Sequence, residues 1–457
     1  VMNNRLRLVL DDKLKDHQRG FRRSRGVHQN IDELVSYIDV GLKSKHFVGC
    51  LFLDIMKAFD TVDRSALLWK MHRLGVHGRM LRYIWNFLSP RRLRVKVSDK
   101  FSAVKFFGTG VPQGSILSPF LFLVFIDDLF DQIEHCRGLL FADDSTLMAT
   151  GPTVPELRLS LQHDLDVLKQ WSLSWGLRFS PTKFQLLFVY RQRGQFSLTL
   201  DYDGVVIEPK QQVKYLGIML SGPRFNMTSH VQTLMSRCKG RMAMMSELRW
   251  YLKAESLRLV YVTYVLPIMD YGSQWYGSLA SKSCLTKLDV MQNKFLRLIT
   301  GSKKSAKISV LEASCGIMPL RLRRQYLQQK WCLPKAEAWQ RVLDTWNTEM
   351  HSNSKYNRDG WHWFQSRDVT GRCLLNGSLK ITRRQEVLVF KLVTESMFVN
   401  AEVCRCGLET MSVPHMLYVC PLIPRVNQVD IPEHDSSMTE LQCTKLLDCY
   451  FTYMEAQ

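Results

Sequence analysis

The chain has 457 residues, which is enough for several hydrophobic cores, and its 62 Lys and Arg against 42 Asp and Glu give a formal net charge of +20. This positive charge favours a polyanionic partner such as nucleic acid, while the ordinary hydrophobic fraction of 46% argues against a disordered chain. The apolar stretch at residues 120–126 is too short to cross a membrane, and the 12 scattered cysteines fit reduced thiols in an intracellular protein.

The beginning of the sequence alternates short apolar strands with amphipathic helices. Residues 48–54 predict a buried strand that ends on the carboxylate of Asp54. Residues 67–88 carry apolar and aromatic side chains at helical spacing, and residues 93–97 alternate as in a strand. This order of elements indicates a mixed α and β architecture.

The middle of the sequence contains an apolar helix and a hairpin. Residues 115–133 predict the helix, and we expect its Asp127-Asp128 pair to lie at a solvated helix end. Residues 139–142 and 145–149 predict two strands joined by Asp143-Asp144. The hairpin should therefore carry acidic side chains at its tip.

The remaining sequence becomes increasingly helical. Leucines at helical spacing mark residues 157–171 as one amphipathic helix, which Gly176 should end. Beyond about residue 225 the sequence is predominantly helical and richer in Met and Arg. We therefore predict three regions, with the boundaries 1–224, 225–335 and 336–457.

Two places combine an apolar strand with an acid at its end, namely Asp54 and the Asp143-Asp144 pair. A pair of divalent cations needs hard oxygen ligands from separate strands on rigid backbone, with the metals about 3.5–4 Å apart. Neighbouring residues of a strand face opposite sides, so one of Asp143 and Asp144 should bind metal directly and the other lie more peripherally. Acids are also common at strand ends without any metal, and spacing alone leaves both readings open.

Several longer segments accompany these acids in a fixed order. They are DHQRGFR at 16–22, FLDIMKAFDTV at 52–62, GVPQGSILSP at 110–119, FADD at 141–144, GLRFSPTK at 176–183 and YLGI at 215–218. Together they resemble the reverse transcriptases of non-LTR retrotransposons of the LINE or jockey type, and residues 264–273 and 291–301 are similar to the helical region that follows. The resemblance implies an α+β right-hand polymerase fold: fingers and a palm with an antiparallel sheet, a helical thumb gripping the template–primer duplex, and a small C-terminal Cys/His module.

The same resemblance implies an RNA-directed DNA polymerase, a nucleotidyltransferase that uses two Mg²⁺ ions, with Mn²⁺ as a substitute. Asp54 and Asp143 would be the metal ligands together with the Ile55 carbonyl, and Asp144 would lie beside them near the primer end. The implied partners are template RNA, a DNA primer or target DNA, and deoxynucleoside triphosphates, with no membrane. Elements of this kind copy themselves at chromosomal sites, which implies nuclear access, although the sequence shows no clear import signal.

Further residues receive substrate roles from the matching motifs. Phe59 would stack under the sugar and exclude a 2′-hydroxyl, a form of discrimination by steric clash. Gln113 and Gly114 would shape the floor beneath the templating base pair. Lys183 would face the triphosphate and donate a proton to pyrophosphate, and Arg22 of the fingers motif is assigned to substrate binding.

A group of cysteines and one histidine near the C-terminal end suggests a zinc site at residues 404–420. The ligands would be Cys404, Cys406, His415 and Cys420, whose spacing C-x-C-x8-H-x4-C supplies four atoms suited to tetrahedral Zn²⁺. The pattern is similar to the cysteine–histidine knuckle of many such elements, except that one residue instead of two or more separates the first pair. A zinc knuckle would bind template RNA or target DNA, whereas the alternative is four unrelated side chains.

Three alternatives compete with this interpretation. A viral RNA replicase normally has Gly before the paired acids and a small or polar gate residue, whereas this sequence has Ala142 and Phe59. A group II intron maturase is disfavoured by the thumb segment and the Cys/His cluster. A catalytically impaired remnant that only binds nucleic acid fits the same sequence, and because the residues after Val1 resemble the middle of a fingers helix, we expect an N-terminally truncated fragment.

Overall fold

The computed structural model describes residues 1–89, 91–330, 333–352, 383–393 and 447. The chain divides into two compact units, Val1–Ser229 and His230–Gln457. The boundaries after residues 224 and 335 remain predictions.

The first unit contains helices of very different length. They are α1 (Met2–Leu10), α2 (Val27–Lys43), α3 (Ala58–Thr61), α4 (Arg64–Arg73), α5 (Gly78–Leu88), α6 (Ser118–Ile126) and α7 (Val154–Trp175), with 3₁₀ turns at Asp11–Lys13 and Pro181–Lys183. Helix α7 begins where the Thr153 hydroxyl accepts a hydrogen bond from the Glu156 amide, and it ends at Gly176, whose φ of 71° is left-handed. The leucines of its predicted apolar face are buried, namely Leu157, Leu161, Leu165 and Leu168, whereas Leu159 and Leu173 are exposed.

A four-stranded antiparallel sheet forms the centre of the first unit. Its strands are β1 (Phe47–Leu53), β6 (Arg137–Phe141), β7 (Asp144–Gly151) and β8 (Gln185–Val189), in the order β6-β7-β1-β8. Every residue of β1 is buried, because the strand has a neighbour at each edge and the helices α2 and α7 pack on its two faces. The register pairs Leu53 with Ser145, so the end of β1 lies beside the start of β7. The predicted α+β fold with an antiparallel palm sheet is confirmed.

Eight shorter strands form separate two-stranded sheets. They are β2 (Arg91–Leu93) with β5 (Lys105–Phe107), β3 (Lys96–Val97) with β4 (Lys100–Phe101), β9 (Leu200–Tyr202) with β10 (Val205–Ile207), and β11 (Gln212–Tyr215) with β12 (Ile218–Ser221). The single strand predicted at 93–97 is thus divided between β2 and β3. The turn between β11 and β12 is formed by Leu216 and Gly217, both with positive φ, which suits the twist of a tight hairpin.

Two predictions on the helices of this unit are wrong. The helix predicted at 67–88 is two helices, because the chain turns at Gly75, where φ is 92°. The Asp127-Asp128 pair does not form a solvated helix end: Asp127 is buried, and the Asp128 carboxylate, which is 32% exposed, accepts a 2.6 Å hydrogen bond from the buried ammonium of Lys70. Burial raises the pKa of Asp127 to about 6.

The described part of the second unit is helical. Its helices are α8 (Thr228–Leu248, which starts in the first unit), α9 (Ala254–Val260), α10 (Leu266–Asp270), α11 (Ser273–Leu279), α12 (Lys282–Thr300), α13 (Ile308–Cys315), α14 (Leu320–Gln329), α15 (Lys335–Ser352) and α16 (Arg383–Val393), with a π-helical turn at Tyr261–Val265. Tyr261 is fully buried, and its hydroxyl donates to the Gln292 side chain over 2.8 Å. Arg323 forms two hydrogen bonds with the Asp270 carboxylate.

Two further sequence predictions concern this part of the chain. Cys404, Cys406, His415 and Cys420, the predicted zinc ligands, lie outside the described residues. Of the helices with described positions, none has the length and apolar character to span a membrane.

Candidate active site

Asp54 follows the last residue of β1 at one edge of the palm sheet. Its backbone carbonyl accepts a 2.8 Å hydrogen bond from the Ser180 amide, and Ile55 forms an isolated bridge with Phe179. The Asp54 side chain is 41% exposed. The segment after β1 is therefore held by backbone contacts, while the carboxylate remains accessible.

The β6–β7 hairpin brings its acids to the same edge of the sheet. The turn consists of Ala142 and Asp143, with Phe141 paired to Asp144, so the predicted Asp143-Asp144 tip is displaced by one residue. Ala142 has a φ of 59°, the left-handed conformation required at the first position of a type II′ turn. Asp143 thus lies in the turn, and Asp144 is the first residue of β7.

Asp54 and Asp144 line one cavity of about 240 Å³. Lys183 and the turn residues Leu216 and Gly217 also contribute to its walls. Asp143 does not line this cavity, although it lies close enough to act on Asp144 electrostatically. The structure therefore brings together acids that are distant in the sequence.

The negative charges in this region oppose one another. The pKa of Asp144 is raised to about 6 because its carboxylate loses hydration and because Asp143 and Asp54 both carry negative charge nearby. Grouped carboxylate oxygens are hard ligands suited to Mg²⁺, and a cation between them would remove the repulsion. The donor set of this edge thus fits a divalent metal.

Lys183 contacts the first of these acids. It ends the 3₁₀ turn Pro181–Lys183, and its ammonium donates a 3.0 Å hydrogen bond to the Asp54 carboxylate. The Lys183 side chain is 64% exposed. Because an exposed ion pair of this kind contributes little stability, the ammonium can exchange Asp54 for another anion at small cost.

The predicted gate and floor residues lie close to one another through Asp60. Phe59 is half-buried, and its ring stacks on Phe122 with centroids 5.0 Å apart. The amide of exposed Gln113 donates a 3.0 Å hydrogen bond to the Asp60 carboxylate. Gly114 is exposed and has a φ of 82°, which favours glycine. None of the three lines the acid cavity.

Arg22 does not have the accessibility that substrate binding requires. Its guanidinium donates to the backbone carbonyls of Lys15, Gln18 and Asp11, and its side chain is only 6% exposed. Burial lowers the pKa of this guanidinium. The structure thus gives Arg22 a role in holding its own loop together.

Sequence reasoning missed the function of Gln18 and Gly20 in the same motif. The fully buried Gln18 side chain accepts hydrogen bonds from the amides of Gly20 (2.9 Å) and Ala142 (3.0 Å), and it donates to the Ala142 carbonyl over 3.4 Å. A Cβ atom on Gly20 would lie 2.3 Å from the Ala142 nitrogen. These two residues therefore hold the turn that carries Asp143. The sequence gives no signal of this contact, because Gln18 and Gly20 are more than 120 residues away from that turn along the chain.

Tyr215, the last residue of β11, anchors the turn between β11 and β12. The ring of this buried residue lies 4.8 Å from that of Phe52, and its hydroxyl accepts a 3.3 Å hydrogen bond from the Asn30 amide. Burial raises the pKa of Tyr215 to about 12, so the hydroxyl stays protonated.

A separate group of side chains that could hold a metal ion lies at the other end of β6. Glu134, His135 and His163 are exposed and have ligand atoms within 4.8 Å of one another. His163 Nδ1 lies 2.9 Å from the buried carboxylate of Asp164. Since Glu134 precedes β6 and Asp143 follows it, this cluster is separate from the acid cavity.

Comparison with known proteins agrees with this geometry. Residues 1–220 match the family model described as reverse transcriptase (RNA-dependent DNA polymerase). This part of the chain, which contains the palm sheet and all the acids of the cavity, is thus a reverse transcriptase domain.

The relatives narrow the family further. The probable RNA-directed DNA polymerase from transposon BS of Drosophila melanogaster is 31% identical over 316 residues, covering 66% of this chain and 34% of that protein. The polymerase from the mobile element jockey of Drosophila melanogaster is 28% identical over 324 residues, covering 69% of this chain and 35% of that protein. The chain is thus similar to the reverse transcriptases of non-LTR retrotransposons, which confirms the predicted resemblance.

The chain spans about a third of the length of these relatives. Among solved structures, telomerase from Candida Tropicalis aligns with a TM-score of 0.37 and 11% identity, covering 76% of this chain and 61% of that chain.

Proposed function

We propose that this chain is an RNA-directed DNA polymerase, which adds deoxynucleotides to the 3′-hydroxyl of a primer on an RNA template. The observation that carries the proposal is the cavity at the edge of the palm sheet, where Asp54, Asp144 and Lys183 meet beside Asp143. Phosphoryl transfer depends mainly on alignment and on neutralisation of charge, and this edge concentrates charged groups on rigid strands.

Divalent cations complete the proposed site. Asp54 and Asp143, with the Ile55 carbonyl, would hold two Mg²⁺ ions, and Asp144 would lie beside them; Mn²⁺ would substitute. When bound, such ions activate the attacking hydroxyl and neutralise the leaving pyrophosphate. The raised pKa of Asp144 supports this assignment, because besides the loss of hydration the negative charges of Asp143 and Asp54 act on its carboxylate.

The remaining roles concern the nucleotide and the template. Phe59 would restrict the space at the sugar, a role that its stacking on Phe122 supports because the ring is held in place. Gln113 and Gly114 would lie beneath the templating base pair. Lys183 would exchange its contact with Asp54 for the triphosphate and supply a proton to pyrophosphate. Template RNA, primer or target DNA, and deoxynucleoside triphosphates are the proposed partners.

Primer extension tests the proposal directly. On poly(rA)/oligo(dT) with Mg²⁺ or Mn²⁺, we expect the chain to incorporate dTTP. We expect Asp143→Asn to abolish extension while RNA affinity stays within about 2-fold, because the proposed role of this acid is to hold metal and not to bind RNA. Asp12→Asn, at an exposed acid far along the chain from the cavity, is the matched control and should remain active.

A second function predicts a different result. A remnant that only binds nucleic acid through its positive charge would bind RNA with strong salt dependence but extend no primer. Full activity in Asp143→Asn would contradict the metal assignment, whereas binding without extension by the unaltered chain would favour the remnant.

A further inference from the structure

We propose that the hairpin arm formed by residues 91–107 binds a single strand of nucleic acid, holding the template RNA outside the acid cavity. Every residue from 92 to 106 is exposed, so the arm projects from the first unit with no core of its own. Two short antiparallel pairs, β2 with β5 and β3 with β4, give it a defined backbone. The proposal rests on the proposed function for the identity of the strand.

The strand register places a cation opposite an aromatic ring in each of the two short sheets of this arm. Arg92 lies opposite Phe106, and Lys96 lies opposite Phe101, so each pair projects to the same side. The Arg92 guanidinium is 5.2 Å from the Phe106 ring centroid, and the Arg94 guanidinium is 4.0 Å from that of Phe101. We call these five residues the basic–aromatic face.

The opposite face of the arm has a different character. Leu93 lies opposite Lys105, and Val97 lies opposite Lys100, so each of these pairs joins an apolar side chain to a basic one. The arm therefore offers a matched comparison between two faces of one element.

The basic–aromatic face has the chemistry of a single-strand binding surface. It contains three cations and no acid, which suits a phosphate backbone. Phe101 is 50% exposed and Phe106 is 67% exposed, so both rings can stack on bases. The faces of bases are available in single strands and are covered in a duplex, and stacking on aromatic side chains is tolerant of sequence. The cations already packed against the rings hold them in position.

The base of the arm is anchored next to the gate residue. Gly110 donates a 2.8 Å hydrogen bond to the Val62 carbonyl, and Val111 donates one of 2.8 Å to the carbonyl of Phe59. The Arg64 guanidinium donates to the carbonyls of Gly110 and Thr109, both over 2.8 Å. A strand lying on the arm would thus be continuous with the region assigned to the nucleotide.

Fluorescence anisotropy with labelled U20 RNA, and with a 20-bp RNA–DNA duplex, tests this inference without nucleotide or metal. We expect Phe101→Ala/Phe106→Ala to weaken binding of the single strand by about 10-fold or more and to leave duplex binding unchanged, because only the single strand loses base stacking. Leu93→Ala/Val97→Ala, on the opposite face, should bind both probes as the unaltered chain does. Urea unfolding midpoints should be unchanged in both variants, since all four side chains are exposed.

A second variant examines the charges. Arg92→Gln/Arg94→Gln/Lys96→Gln should reduce the slope of log K against log salt for the single strand by about 2, from roughly 0.7 per phosphate contact. Unchanged single-strand binding by Phe101→Ala/Phe106→Ala would overturn the inference, as would an equal loss with the duplex or in the opposite-face variant. Primer extension is measured separately: a chain that extends no primer but shows the single-strand effect contradicts the proposed function and leaves the arm's role intact.

Discussion

Asp144 carries an electrostatic cost in the folded protein. Its pKa is raised from an ordinary value of 3.8 to about 6, first by lost hydration and then by the charges of Asp143 and Asp54. An acid with a raised pKa binds its proton more tightly in the folded state than in the unfolded state. The resulting destabilisation is fully present above about pH 6 and disappears below about pH 4, where the group is protonated in both states.

Replacement of this acid should therefore stabilise the protein at high pH while abolishing extension. For Asp144→Asn we expect the free energy of unfolding at pH 8 to rise by at most about 1 kcal/mol, since solvent screens an accessible group, and the gain to vanish near pH 4. Urea unfolding at pH 4, 6 and 8 measures it, with Asp12→Asn as the control. A constant difference across pH, or a loss of stability at pH 8, would contradict the proposed repulsion.

Phe59 offers a test of sugar selection that is independent of the acids. Phe59→Val removes the ring that stacks on Phe122, so space opens for a 2′-hydroxyl, and we expect the ratio of kcat/KM for deoxynucleotides over ribonucleotides to fall by about 10-fold or more. Phe87→Val, at another half-buried phenylalanine packed on the same core, should lose stability without a change in this ratio. Sugar selectivity that is unchanged in Phe59→Val would refute the gate role.

The contrast between Asp54 and Asp127 shows what could be inferred for single residues. Asp54 was predictable because it follows an apolar strand inside a recognisable motif, and local sequence determines both facts. Asp127 and Asp128 were misjudged because their burial depends on partners elsewhere: the Lys15 amide donates to Asp127, and Lys70 pairs with Asp128. A buried charge is tolerated only with such partners, and periodicity does not reveal them.

The hairpin that carries the acids depends on a second element for its geometry. Ala142 adopts a left-handed backbone, which costs roughly 1–3 kcal/mol for a non-glycine residue. The hydrogen bonds of Gln18 to both backbone groups of Ala142 offset this cost. Backbone bonds from Arg19 to Leu140 and from Leu140 to His17 add a short ladder to the edge of β6. The fingers motif therefore positions the turn.

Loss of this support should affect turnover more than binding. For Gln18→Leu we expect the free energy of unfolding to fall by about 1–3 kcal/mol, because buried amides lose their acceptor. We also expect kcat to fall by about 10–100-fold through misplacement of Asp143, with RNA affinity unchanged. Gly20→Ala, which presses a Cβ against Ala142 without removing a hydrogen bond, should lower kcat in the same way.

Gln162→Leu is the matched control for this experiment. Gln162 likewise hydrogen-bonds through its side chain to the amide and the carbonyl of one residue, Asp201 in β9, at a more exposed position away from the acid cavity. The control should lose stability while kcat stays near that of the unaltered chain. An equal fall of kcat in the control would mean that Gln18 acts only through general stability.

Elements were predicted best where one local pattern decides the outcome. Helix α7 has a regular apolar face, a threonine cap and a terminal glycine, and its limits follow from these residues. The alternation of Leu93 to Val97 predicts one strand at 93–97, yet nothing buries either face of this segment, and its residues are divided between β2 and β3. The hydrogen bonds of Gln18 to the hairpin turn could not be predicted from the sequence, since Gln18 and Ala142 are brought together only by the fold.

At the scale of the whole molecule, net positive charge is the property that the sequence gives most directly, since it is obtained by counting residues. The formal net charge of +20 predicted a polyanionic partner, and the structure shows where cations gather. In the second unit a cavity of about 790 Å³ is lined by Arg249, Lys294, Arg297, Lys304 and Arg383 with the exposed ring of Trp250. The resemblance found in the sequence predicts that this helical region grips the template–primer duplex, and that role remains a proposal.

Two variants that remove the same charge distinguish direct contact between the cavity and nucleic acid from attraction by the net charge of the whole chain. Lys294→Gln/Lys304→Gln removes two exposed lysines from the cavity wall. Lys282→Gln/Lys287→Gln removes two exposed lysines near the start of α12, the helix that also contains Lys294, and neither of them lines the cavity. Lys304 lies just beyond the end of that helix. Both variants change the net charge equally, so a general field would weaken binding equally in both.

Direct contact predicts an asymmetric result. We expect Lys294→Gln/Lys304→Gln to reduce the salt slope for a 20-bp RNA–DNA duplex by about 1–2, since each lost phosphate contact removes roughly 0.9, while Lys282→Gln/Lys287→Gln keeps the slope of the unaltered chain. Anisotropy titrations between about 50 and 200 mM salt measure both slopes. Equal slopes in the two variants would assign the cavity no specific contact, because counterion release depends on which phosphates are touched and not on the total charge.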